Sequence, residues 1–60
     1  MRLITRFEAA SRGATELHAL LSAAFQAAAV APLGSTERAN AIASVRNIQS
    51  ELAARNPGPW

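Results

Sequence analysis

Apolar residues recur at three- and four-residue intervals in the middle of the chain. Leu17, Leu20, Leu21, Ala24, Ala28 and Ala31 fall on one side of a helix, Phe25 lies at its edge, and Ser22 and Gln26 lie opposite. Thr15 offers an N-cap and Glu16 an acidic first turn, which the positive end of a helix dipole favours. Pro32 lacks a backbone donor and disfavours helix at the residue before it, so the element stops at Ala31. The pattern predicts a helix over 15–31.

A second run follows at once. Ala41, Ile42, Val45, Ile48 and Leu52 form an apolar stripe, and Asn40, Ser44, Asn47 and Glu51 form a polar stripe expected to face solvent. Ser35 is the expected N-cap, Glu37 suits the first turn, and Glu51 and Arg55 form an i,i+4 pair in the favourable order. Asn56 and Pro57 end the run, so the helix covers 36–55. Two amphipathic helices joined by a short Pro32-Leu33-Gly34 link make an antiparallel hairpin, and the fold class is all-α.

The first 13 residues admit two readings. Thr5-Arg6-Phe7-Glu8 fits a capping box, Glu8 and Arg12 are i,i+4, and Gly13 can serve as the C′ residue, which gives a short helix over 6–12. Alternation of Leu3, Thr5 and Phe7 with Ile4 and Arg6 gives a strand instead. The favoured reading is a short helix, or an extended lead-in followed by one. Residues 1–56 then form a single small helical domain, and 57–60, Pro-Gly-Pro-Trp, a flexible tail.

Composition changes this picture in one respect. Of the 60 residues half are apolar, but 15 of those are alanine. A domain of this size buries only about 60% of its unfolded surface, and each alanine adds little more than a methyl. There is no cysteine, so neither a disulfide nor a cysteine-held metal can supply the missing stability. Small domains without staples often associate, and a homodimeric helical bundle is the expected assembly.

Chemistry-bearing residues are sparse. His18 is the single histidine, Glu16 points elsewhere on the helix, and Ser22 at i+4 has no oxyanion site beside it. Four scattered Glu and one His make no metal cluster, and Gly13, Gly34 and Gly58 make no phosphate loop. The chain therefore reads as a non-enzyme with no cofactor.

Arg2, Arg6 and Arg12 followed by the small-residue run Ala29-Val30-Ala31 could outline a secretory signal. Glu8, Glu16, His18 and Gln26 interrupt that pattern. The apolar stretch is too short and too alanine-rich to span a bilayer, so a cytoplasmic location is expected and membrane contact is not. Net charge is only +2, with arginine as the sole base. Were residues 1–7 a strand, the order strand-helix-helix would resemble the ribbon-helix-helix DNA-binding dimers, which implies DNA contact through a β-ribbon carrying Arg2, Arg6 and Arg12.

The leading expectation is a small helical protein that acts by association, with itself or with a larger protein. The interface residues expected are Leu17, Leu20, Leu21, Phe25, Ile42, Val45, Ile48, Leu52 and Trp60. The alternative is a small DNA-binding regulator.

Overall fold

A computed structural model describes residues 1–55. They form three helices, α1 (Arg6–Ala10), α2 (Ala14–Val30) and α3 (Thr36–Arg55), with no strand among the described residues. Asn56, the Pro57-to-Trp60 tail and the terminal cap lie outside them.

The N-terminal region is an extended lead-in and a short helix. Thr5 is the N-cap, and its hydroxyl accepts from the Glu8 N–H at 3.1 Å, as the capping-box spacing predicts. The helix ends at Ala10 rather than Arg12. Ser11 occupies its C-cap, and its hydroxyl donates to the Glu8 carbonyl at 2.7 Å.

α2 begins earlier than its sequence signals indicate. Gly13, not Thr15, is the N-cap, and it is extended at φ −74° rather than in the left-handed C′ conformation. The early start has a physical reason. Leu17 is fully buried, and its N–H reaches the Gly13 carbonyl at 2.9 Å, so an added turn leaves no unpaired donor in the interior.

Ala31 is extended before Pro32, as expected. The Ser35 N–H then donates to the Pro32 carbonyl at 3.2 Å. Gly34 at φ +80° supplies the left-handed residue that a type II turn needs at its third position. The Ser35 hydroxyl accepts from the Arg38 N–H at 3.1 Å and caps α3 as predicted.

α2 and α3 pack along their length. Ala28 meets Arg38 at the turn end, and Leu17 shares a cluster with Ile48 and Leu52 at the other, so the helices run antiparallel. The core consists of Ile4, Ala9, Leu17 and Ile48, with Met1, Leu20, Leu21 and Leu52 packed around it. Ala24 and Ala41 are also fully buried. Alanine therefore contributes to the interior of the hairpin as well as to helix propensity.

Candidate interaction surface

The polar stripe of α3 is not solvated. Ser44 is fully buried, and Asn40, Asn47 and Glu51 are partly covered. The extended N-terminal segment lies on this stripe. The Ile4 N–H donates to the Ser44 hydroxyl at 2.8 Å, and the Ile4 carbonyl accepts from the Asn47 side-chain amide at 2.8 Å. One helical turn of α3 thus satisfies both backbone groups of a residue whose side chain is only 3% exposed. Burying those groups unpaired would cost far more than the apolar contact returns, which is why serine and asparagine stand here.

Arginine completes the arrangement. The Arg55 guanidinium donates to the carbonyls of Ala9 at 3.2 Å, Ala10 at 3.1 Å and Arg12 at 2.6 Å, which closes the otherwise open end of α1. Its Nε pairs with Glu51 at 2.9 Å. Arg38 plays a similar part at the end of α2, donating to the Ala28 carbonyl at 2.6 Å.

Three of the four glutamates are held by these cations. Glu8 meets Arg2 and, at 3.3 Å, Arg12; Glu16 meets Arg12; Glu51 meets Arg6 at 3.6 Å as well as Arg55. The hydrogen bond from Arg2, followed by the contact with Arg12, holds the Glu8 carboxyl down to about 2. The Arg55 hydrogen bond lowers that of Glu51. Each of Arg2, Arg6 and Arg12 therefore already faces a carboxylate of its own chain.

The residues expected at an interface divide into three groups. Leu17 and Ile48 are fully buried within the chain. Leu20, Leu21, Val45 and Leu52 are half-buried between core and surface. Phe25 is 51% exposed and Ile42 42% exposed. Trp60 lies outside the described residues.

Phe25 and Ile42 share one face of the hairpin. At 3.6 residues per turn, Phe25 stands roughly 80° round α2 from Leu17, and Ile42 roughly 100° round α3 from Ala41, in the same rotational sense. In an antiparallel pair, equal offsets in the same sense lie on one side. The N-terminal segment binds at Ser44, Asn47 and Glu51, offset in the opposite sense, and so covers the other side. Among the described residues the hairpin has one lidded face and one open face. Leu21 and Val45 floor the open one, with His18 on the same side of α2.

At the turn end of the open face is a shallow hollow of about 240 Å³ lined by Gly34, Ser35, Arg38, Ala39 and Ile42. Val30 and Leu33, both largely exposed, stand at the same end. Arg38 and Arg46 flank Ile42 at i−4 and i+4 on one ridge. No carboxylate lies within ion-pair distance of either among the described residues. The sequence expectations do not include these two arginines, and spacing alone does not single them out, since Arg2 and Arg6 also lack a glutamate at i±3 or i±4 and are nonetheless paired.

Among the described residues no three His, Asp or Glu side chains gather where a metal could bind, and no helix is long and apolar enough to cross a membrane. No family model, curated protein or solved structure matches the chain. The reading of its function therefore rests on its own surface.

Proposed function

We propose that this chain is a small non-enzymatic helical protein that works by association, and that the open face of its hairpin is the contact surface. The observation that carries the reading is the unequal covering of the hairpin. The N-terminal segment closes one face over Ile4, while Phe25 and Ile42 remain half-exposed above Leu21 and Val45 on the other. Adjacent large apolar side chains left at the surface of so small a chain mark a contact site.

A photo-activatable cross-linking residue at position 25 or 42, in cells producing the protein, tests the reading. A discrete adduct is expected from these positions and none from Thr15 or Ser50. An adduct of twice the chain mass identifies a second copy, and any other mass a different polypeptide. No adduct from either position overturns the association reading.

The DNA-binding alternative is of strand-helix-helix type, and its β-ribbon is absent, since Arg6–Ala10 is helical and no strand forms among the described residues. DNA contact without a ribbon would still require Arg2, Arg6 and Arg12 to exchange Glu8, Glu51 and Glu16 for phosphates. A salt titration with duplex DNA tests it, since phosphate neutralisation gives a negative log–log slope.

A further inference from the structure

We infer that the open face receives an acidic amphipathic helix from another protein, in preference to a second copy of this chain. The inference rests on the association reading and adds the chemistry of the partner.

Charge is sorted between the two faces. Glu8, Glu16 and Glu51 all lie with the N-terminal segment, locked to arginines there. Glu37, the fourth, precedes Arg46 by nine positions, so it points about 180° away round α3. Residues 56–60 add no acidic side chain. The open face thus combines Phe25, Ile42, Leu21 and Val45 with Arg38 and Arg46 and has no carboxylate among the described residues.

A second copy docking face to face would bring two more arginines and nothing to neutralise them. Like charges opposed across an interface disfavour the wrong partner. A helix with an apolar stripe flanked by Asp or Glu satisfies both features. Its stripe seats between Phe25 and Ile42, one apolar side chain enters the hollow beside Ala39, and its acidic flank meets the Arg38–Arg46 ridge. Arg38 enters this contact already oriented, because its bond to the Ala28 carbonyl fixes the side chain over the turn. Arg46 is exposed and has no ion pair with the described residues to give up.

The test is a titration of the purified chain with three labelled 18-residue helical peptides. They share one leucine stripe and differ only in flanks of Glu, Gln or Lys. The Glu peptide is expected to bind, the Gln peptide about fivefold more weakly, and the Lys peptide weakest, in keeping with the modest strength of exposed ion pairs. Arg46→Glu should keep its melting curve and reverse the order of the Glu and Lys peptides. Phe25→Ser with Ile42→Ser should abolish binding of all three.

Equal affinity for the three peptides, or an unchanged order in Arg46→Glu, overturns the acidic-helix assignment but leaves association standing. So does a cross-linked adduct of twice the chain mass. Binding to phosphatidylserine vesicles with no binding to any peptide overturns the assignment in favour of a lipid surface. Failure of all peptides together with no cross-linked adduct rejects the association reading itself.

Discussion

The Ile4 N–H donates to the Ser44 hydroxyl at 2.8 Å, joining positions forty residues apart in a fully buried contact. With the Asn47 amide on the Ile4 carbonyl, this bond turns a polar helix stripe into a seat for an extended strand of chain. Ser44→Ala leaves the Ile4 N–H buried and unpaired and should cost about 1–3 kcal/mol by denaturant unfolding. Amide exchange at Ile4 should rise by more than exchange at Leu17. A variant as stable as the parent sinks the clamp.

Apolar burial in the N-terminal region is confined to one side. Ile4→Ala should destabilise by roughly 2–4 kcal/mol, in the range for a buried Ile losing three carbons. Phe7, 88% exposed, should tolerate Ala within about 0.5 kcal/mol. Equal costs at the two positions would falsify the placement of the segment.

Arg55 ties the last turn of α3 to the end of α1 through three carbonyls. Arg55→Met keeps the side-chain stem and removes the donors. Exchange at the amides of Ala9 to Arg12 should accelerate, with a global loss of about 1 kcal/mol. Unaltered exchange there would show that the contact is incidental.

The two described glycines should respond oppositely. Gly13 is an N-cap at φ −74° with open space where a Cβ would stand, so Gly13→Ser should stabilise by about 0.5 kcal/mol through a new cap and a less flexible unfolded chain. Gly34 sits at φ +80°, and Gly34→Ala should cost about 1 kcal/mol or more despite equally open space. A thermal melt of each variant reads the signs directly.

Acid should loosen the lidded face. Glu8 is held near 2 against an ordinary value of 4.5, and Glu51 is also lowered, so each binds fewer protons in the folded than in the unfolded chain. Their contribution is complete above about 4.5 and fades as pH falls toward 2. The pairs are partly exposed, so added salt should shrink the effect. Stability that rises between pH 4.5 and 3 contradicts this assignment.

Much of this fold is legible in the sequence. The stripe from Leu17 to Ala31 marks the buried side of α2, Pro32 and Gly34 mark the turn, and Ser35 and Thr5 mark their helices. What local pattern does not reveal is the third layer. Ser44, Asn47 and Glu51 are polar at helical spacing, the same appearance a solvated face presents. Only Ile4, forty residues away in a short segment between Arg2 and Arg6, makes that stripe an interior. The N-cap of α2 is hidden for a related reason, since Thr15 is the better local cap and the burial of Leu17 decides for Gly13. The open face divides in the same way. Phe25 and Ile42 stand out from periodicity alone, whereas Arg38 and Arg46 gain meaning only once Arg2, Arg6, Arg12 and Arg55 are each found paired with a carboxylate of their own chain.

The clamp on Ile4 also imposes a timetable. A ribosome adding 5–20 residues per second needs about 2–8 s to travel from position 4 to position 44, whereas a helix forms within about a microsecond. During that interval the N-terminal segment has no surface to lie on. The two backbone bonds of Ile4 can form only after the turn of α3 holding Ser44 and Asn47 emerges, so the segment made early depends on one made late.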